Sequence, residues 1–227
     1  MSLLWLIPLC VGAYLIGNIN FAVIISRLKM KSDIRKQGSG NPGMTNMLRS
    51  YGIKWGVVIL VLDMLKGTIP ALVGLLVFRT HSAEFGQIAL YAAGLSAVIG
   101  HCYPVIFKFR GGKGAATVIG VFSVANQYIA AIAGAIAILY LIFFEYGSLT
   151  TLLFVSIVTL YTSFRTEYMV SGLLIFSIYF LWWIRHRQNI VRLLAGQESK
   201  ASILRRLRKS KIAQNQKLWL SQVEEEV

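Results

Sequence analysis

Four short stretches of this 227-residue chain combine residue types that bind anions or carry protons. The first is Gly100-His101-Cys102-Tyr103-Pro104-Val105-Ile106-Phe107-Lys108-Phe109-Arg110-Gly111-Gly112-Lys113-Gly114, where three close glycines and three cations emerge between two long apolar runs. Glycine lets backbone N–H groups turn toward an anion, and Lys113 adds a point charge inside the turn. Gly111, Gly112, Lys113 and Gly114 therefore have the makings of a phosphate cradle. It is not a nucleotide P-loop, since Gly114 and Ala115 follow Lys113 where Ser or Thr would be needed. The competing reading is a plain basic turn.

The second stretch is Gly38-Ser39-Gly40-Asn41-Pro42-Gly43-Met44-Thr45-Asn46, followed by Arg49. Interleaved glycines, hydroxyls and amides form tight polar turns, and a guanidinium gives a planar fork to phosphate or carboxylate. An ordinary solvated loop has the same composition. The third stretch places Asp63 and Lys66 three residues apart, on one helix face, within an apolar run. A charge at the centre of a span costs about 2.5–3.5 kcal/mol on insertion scales, so such a pair is rarely incidental. Either it is a neutralised structural pair, or Lys66 reaches a polar site between helices with Asp63 holding it there. In the fourth, Arg185-His186-Arg187-Gln188-Asn189-Ile190-Val191-Arg192-Leu193-Leu194-Ala195-Gly196-Gln197-Glu198, a helical reading puts His186, Asn189 and Leu193 on one face with Arg185 and Arg192 beside it. Histidine relays protons near neutral pH and arginines neutralise anions, although Arg and His after a span also anchor it to headgroups.

Some chemistries lack their residues. No Asp/Glu cluster suits Mg²⁺, and no Cys/His grouping has zinc spacing, so no metal and no cofactor is expected. A Ser-His-Asp triad is hard to build, because Asp33 and Asp63 are the only aspartates.

The elements that must position these residues are membrane helices. With 56% hydrophobic residues, 14% charged and a mean hydropathy of +0.63, the chain has the composition of an all-α integral membrane protein. Apolar runs cover Leu3–Ile25, Trp55–Phe78, Phe85–Ile99, Ala115–Phe144, Tyr146–Phe164 and Tyr168–Ile184. The first is too long for a cleavable signal, and no Lys or Arg precedes it. The net charge of +14 is concentrated: Ser26–Lys54 carries seven Lys/Arg, His101–Gly114 three and Arg185–Lys217 ten of the 23. These lie at membrane edges, which points to anionic membrane lipid and not to nucleic acid, and the positive-inside rule puts all three segments in the cytoplasm. Between Gly114 and Arg185 the number of passes must then be even, yet three runs are visible. Ala115–Phe144 is the one to divide, since 30 residues make a helix of roughly 45 Å against a core of about 30 Å. Asn126-Gln127 breaks it, one product being a stub. The expected fold has seven transmembrane helices, one or more short, with the N-terminus outside and the C-terminus cytoplasmic. Residues 1–200 form the membrane domain and 201–227 a basic cytoplasmic tail, interfacial or disordered. Gly12, Gly17, Gly94, Gly100, Gly120 and Gly134 are read as helix-packing positions. Cys10 and Cys102 should face opposite membrane sides without a disulfide.

Taken in order, Gly38 to Asn46, Leu62-Asp63-Met64-Leu65-Lys66-Gly67, Gly100 to Pro104 with Phe109-Arg110-Gly111-Gly112-Lys113-Gly114-Ala115-Ala116-Thr117, and Arg185 to Glu198 resemble the bacterial acyl-phosphate:glycerol-3-phosphate acyltransferase family, PlsY. The resemblance extends to about residue 200, departing at Met44, where that family usually has a smaller residue. It implies seven helices and a cytoplasmic site that moves a fatty acyl group from acyl phosphate to the 1-hydroxyl of glycerol 3-phosphate, giving lysophosphatidic acid and phosphate. The resemblance further implies that Gly111, Gly112, Lys113 and Gly114 serve glycerol 3-phosphate and that Thr117 is substrate-binding. Ser39, Asn41, Thr45, Arg49 and Lys66 would bind or polarise phosphate and the acyl carbonyl, His186 and Asn189 would complete the site, and Glu198 would orient the arginines, Arg192 among them. His101, His186 and the substrate phosphate all stand as candidates for the proton. The resemblance implies the cytoplasmic (inner) membrane of a bacterium, with membrane lipid and the two substrates as partners and no obligate protein partner. The His-x-x-x-x-Asp acyltransferase class is excluded, because Gly86, Ile106 and Val191 lie five residues after the three histidines. A transporter or channel for organic phosphate would use the same cations without chemistry.

Overall fold

A computed structural model describes residues 3–201, and the regular elements among them are all helical. In chain order they are α1 (Leu6–Asn18), α2 (Phe21–Met30), α3 (Met44–Tyr51), α4 (Ile53–Phe78), α5 (Ala83–Cys102), α6 (Ala115–Ala125), α7 (Gln127–Phe144), α8 (Gly147–Arg165) and α9 (Met169–Leu194). Six segments are long and apolar enough to cross a bilayer: Leu6–Met30, Ile53–Phe78, Ala83–Phe107, Gln127–Phe144, Gly147–Arg165 and Met169–Leu194. The eleven residues of α6 are a shorter apolar helix. The protein is thus a multi-pass, all-helical membrane protein. The basic tail expected over 201–227 lies outside the described residues beyond Ala201.

The division of Ala115–Phe144 falls where the polar break was expected. Asn126 adopts an extended backbone, and its side chain accepts a hydrogen bond from Ile129 N at 3.1 Å, capping α7. A second division was not among the expectations. The first apolar run breaks at Ile19-Asn20, where Asn20 caps α2 by accepting from Val23 N at 3.1 Å. The last run also continues further than its hydropathy suggests. The helix α9 extends to Leu194, so Arg185 to Arg192 are held on a rigid rod.

The described parts of the three basic segments meet at one end of the bundle. Arg35 lies 5.6 Å from the Phe107 ring centroid, Arg185 donates to Gly112 O at 2.8 Å, and Arg49 donates to Ser199 O. Away from this end, the α8–α9 turn meets α5 through Thr166 Oγ1, which donates to Gln87 Oε1 at 3.3 Å.

Backbone contacts at glycine hold the helices that build this end. A Cβ on Gly67 would lie 2.1 Å from Thr117 O, and one on Gly120 2.1 Å from Met64 O, so α4 and α6 touch backbone to backbone. Thr68 Oγ1 adds a hydrogen bond to Gly120 O at 3.2 Å. Between α1 and α5, Gly17 faces Ala97 and Gly100 faces Tyr14, again with no room for a Cβ, and Gly94 is closed by Val121. Gly12 and Gly134 do not share this role: a Cβ on Gly12 meets nothing within 4 Å and one on Gly134 meets Phe154 at 3.8 Å, because those faces pack less closely. Gly120→Leu should therefore force α4 and α6 apart, at an overpacking cost of about 1–3 kcal/mol or more. Its melting temperature in detergent should fall well below wild type while that of Gly12→Leu stays close to it; equal melting temperatures would contradict this packing.

Candidate active site

The loop between α2 and α3 is shaped by two polar hubs, the partly buried Asp33 and the buried Asn46. Asp33 accepts from Arg27 at 2.8 Å and from Arg35 at 2.7 Å, and the Arg35 hydrogen bond, against the opposing effect of burial, holds its carboxyl well below the usual carboxylate range. Asn46 is the second hub. Its Oδ1 accepts from Ser39 N at 3.1 Å, and its Nδ2 donates to Gln37 O at 2.9 Å and Ile34 O at 3.2 Å. Gly38 lets the chain pass over this amide: its φ is +54°, and a Cβ would lie 2.3 Å from Asn46 Oδ1. Ser39 and Asn41 are thereby fixed just before α3, on which Thr45 and Arg49 stand four residues apart on one face.

The glycine loop is pinned from three sides. Asn18 Oδ1 accepts from Val105 N at 2.6 Å, and Tyr14 Oη donates to Tyr103 O at 3.0 Å, tying the loop's start to α1. Gly112 N donates to His101 O at 3.1 Å, and a Cβ on Gly112 would lie 2.1 Å from His101 Nε2. From α9, Arg185 Nη2 donates to Gly112 O at 2.8 Å and Gly111 O at 3.3 Å, with Nε reaching Gly112 O at 3.2 Å. Gly114, at φ +84°, opens α6.

The far end of α9 supplies the remaining groups. His186 is buried, and its Nδ1 donates to Trp182 O at 3.0 Å. In the neutral ring this leaves Nε2 as an acceptor. Asn189 Oδ1 accepts from Lys113 Nζ, while its Nδ2 donates to Glu198 Oε1 at 2.7 Å. Glu198 Oε2 accepts from Arg192 Nε at 2.8 Å. Burial would raise the Glu198 carboxyl, but the hydrogen bonds from Arg192 and Asn189 outweigh it and hold the group below its ordinary value. Lys113 moves the other way: burial, and then the charge of Arg192, bring its ammonium down to about 8.

These elements enclose a cavity of about 370 Å³. It gathers Ser39, Asn41, Thr45, Arg49, His101, Lys113, Gly114, His186, Asn189, Arg192 and Glu198. Its wall is apolar at Met44, Leu60 and Ile119. A neighbouring cavity of about 250 Å³ is lined by Gly111, Arg185, Arg187 and Gln188, and shares Ser39, Asn41, Lys113 and Arg192 with the first. Three expected residues stand behind the wall. Gly112 abuts the His101 ring, Thr117 is fully buried with its backbone against Gly67, and Lys66 points elsewhere. Lys66 Nζ lies 2.8 Å from Asp63 Oδ1 and donates to Ile19 O at 3.0 Å, at the α1–α2 break. Asp63, and not Lys66, reaches the cavity. Nothing in residue type or spacing singled out Asn46 or Asp63 for these places. The Ser-Gly-Asn-x-Gly turn needs a central hydrogen-bond hub, and that need is the signal that would have found Asn46.

A cavity with three cations from three segments, glycine amides on one side and apolar residues on another is suited to an anionic headgroup bearing a chain. The sequence relatives agree. The glycerol-3-phosphate acyltransferase family model matches residues 7–196. A glycerol-3-phosphate acyltransferase of Halalkalibacterium halodurans is 41% identical over 206 residues, 88% of this chain and 96% of that protein. One of Shewanella sediminis is 39% identical over 191 residues, 84% of this chain and 92% of that protein. The crystal structure of PlsY (YgiH), an integral membrane glycerol 3-phosphate acyltransferase, in its glycerol 3-phosphate form superposes with a TM-score of 0.78 at 36% identity, covering 86% of this chain and 94% of that one. With nearly its whole helical region matched in sequence and in fold, this chain belongs to the glycerol-3-phosphate acyltransferase family.

Proposed function

We propose that this protein transfers a fatty acyl group from acyl phosphate to the 1-hydroxyl of glycerol 3-phosphate, releasing lysophosphatidic acid and phosphate. The observation that carries the reading is the convergence of Arg49, Lys113 and Arg192 on one cavity that is apolar at Met44, Leu60 and Ile119. Acyl phosphate is already activated, so the protein needs to hold two phosphates in a near-attack arrangement and neutralise the developing oxyanion. The glycerol oxygen forms a bond to the acyl carbon, and the bond from that carbon to the phosphate oxygen breaks, the phosphate leaving with the electron pair. His186 Nε2 accepts the hydroxyl proton, which returns to the departing phosphate. Ser39 and Arg49 act on the acyl phosphate, while Gly111 to Gly114 and Lys113 hold glycerol 3-phosphate. Asn189 keeps the Lys113 ammonium in register with Glu198 and Arg192.

The same reading places the protein in the cytoplasmic membrane of a bacterium, crossing it seven times with α6 as a short pass. The site then faces the cytoplasm, the N-terminus lies outside, and residues 201–227 form a basic cytoplasmic tail. Its support is the gathering of 20 of 23 Lys/Arg into three segments of the sequence, the described parts of which meet at one end of the bundle.

Purified protein given palmitoyl phosphate and glycerol 3-phosphate should form lysophosphatidic acid; passage of organic phosphate across proteoliposomes with no product would support a transporter instead. Within that assay, losing a donor aimed at developing charge typically costs about 10²–10³ in kcat. Ser39→Ala should pay that cost without a change in melting temperature. Arg49→Lys keeps the charge but loses the fork, and should be nearly as impaired as Arg49→Ala. Near-normal turnover in both Ser39→Ala and Arg49→Lys would remove this loop from the chemistry.

The lowered Lys113 ammonium gives a pH signature. The charged form binds phosphate and is lost from the free enzyme as pH rises through about 8. KM for glycerol 3-phosphate should therefore climb above that pH, by up to about tenfold per unit if only the ammonium form binds. Lys113→Arg stays charged throughout and should flatten the rise, whereas an equally steep rise in that variant would show that another group titrates.

A further inference from the structure

Arg185 is surrounded by anion-binding residues, yet its guanidinium is already engaged. Its Nη2 and Nε make three hydrogen bonds to the carbonyls of Gly111 and Gly112, at 2.8, 3.2 and 3.3 Å, and its carbon centre sits 5.0 Å from the Tyr103 ring centroid. The edge of the guanidinium formed by Nε and Nη2 is thereby turned to the loop and not to a ligand.

The peptide bonds are trans, so a carbonyl turned toward Arg185 turns the next residue's N–H away from it. In the Gly111–Gly112 peptide both ends are fixed: the oxygen accepts from Arg185, and the Gly112 N–H donates to His101 O at 3.1 Å. In the Gly112–Lys113 peptide the oxygen accepts from Arg185 at 2.8 and 3.2 Å, while the Lys113 N–H has no backbone acceptor among the described residues. Without side chains at Gly111 and Gly112, these peptide planes rotate easily, and Arg185 is the group that stops them on the α9 side. The same α9 places Asn189 on the Lys113 ammonium, so one helix fixes both the backbone and the side chain of the loop's lysine.

We propose that Arg185 is a positioning residue: it holds the carbonyls of Gly111 and Gly112 so that the Lys113 amide stays presented to the phosphate of glycerol 3-phosphate, and it does not itself bind the anion. The identity of the ligand rests on the acyl-transfer reading above; the hold on the loop does not.

The test compares wild type, Arg185→Gln and Arg185→Lys by hydrogen–deuterium exchange in detergent and by steady-state kinetics with palmitoyl phosphate and glycerol 3-phosphate. In Arg185→Gln, amides of residues 108–116 should exchange about tenfold faster or more, with α4 and α5 peptides unchanged. KM for glycerol 3-phosphate should rise about tenfold or more, with KM for palmitoyl phosphate and kcat within about threefold. Arg185→Lys, which can reach one carbonyl at a time, should fall between the other two in both measurements, and it serves alone if the glutamine variant does not fold. Wild-type loop exchange combined with a raised KM would make Arg185 a direct anion ligand and overturn the proposal. So would an unchanged KM with a loosened loop, or full recovery of KM by Arg185→Lys while the loop still exchanges fast. If wild type makes no lysophosphatidic acid, the acyl-transfer reading fails on its own, and loop exchange still decides whether Arg185 holds the loop.

Discussion

Cations that converge repel one another, and here Glu198 answers that repulsion. Its two oxygens take Asn189 at 2.7 Å and Arg192 at 2.8 Å, and Asn189 passes the constraint to the Lys113 ammonium. One carboxylate thereby orders the glycine loop, the end of α9 and the segment that follows it. That segment is tied down beyond Glu198 as well, because Arg49 donates to Ser199 O, and Ala201 N donates to Glu145 O at 2.7 Å. The compensation is incomplete. Among the described residues the other carboxylate on the cavity wall, Asp63, is matched by Lys66, so Glu198 is the acid that Lys113 and Arg192 share. The fall of Lys113 to about 8 is the mark of burial first and then of the neighbouring Arg192 charge. A site left this positive lowers its energy by taking in anions.

The Asp63–Lys66 pair works one layer deeper. Both residues are buried in α4, and Lys66 spends its hydrogen bonds on Asp63 and on the Ile19 carbonyl left free where α1 ends. An unsatisfied carbonyl inside a bilayer is costly, and the break between α1 and α2 exposes one. The pair therefore stabilises the bend from which α2 leads into the Ser39 loop. The backbone contacts of Gly67 and Gly120 then hold α4 against α6, whose first residues line the cavity.

Much of this was legible in the sequence because membrane insertion leaves simple marks. Cation clustering required an even number of passes after Gly114, and the polar Asn126-Gln127 pair marked where the long run divides, as it does between α6 and α7. The Arg185–Glu198 stretch read as a helix with His186 and Asn189 on one face, and both reach the cavity. What stayed hidden depends on contacts between distant segments. Asn18 and Asn20 flank the α1–α2 break much as Asn126-Gln127 marks the other, but Leu3–Ile25 is short enough for one pass, so nothing in its length required it to divide. Gly67 and Gly74 resemble any glycine in a span until α6 or α5 is packed against them. The roles of Asp63 and Lys66 were inverted because a helical face fixes the direction of a pair and not which member turns inward. Asn46 and Arg185 do their work through backbone carbonyls and amides, which carry no residue-specific signal.

In the proposed mechanism two anions held by one cavity react directly, and the protein takes no acyl group. Rapid-quench mixing of the protein with excess palmitoyl phosphate measures this most directly, with phosphate and intact protein mass followed over the first turnover. Direct transfer gives no phosphate burst and no mass increase without glycerol 3-phosphate, and phosphate matched by lysophosphatidic acid once it is added. A burst stoichiometric with protein, accompanied by a palmitoyl adduct on the chain, would contradict it.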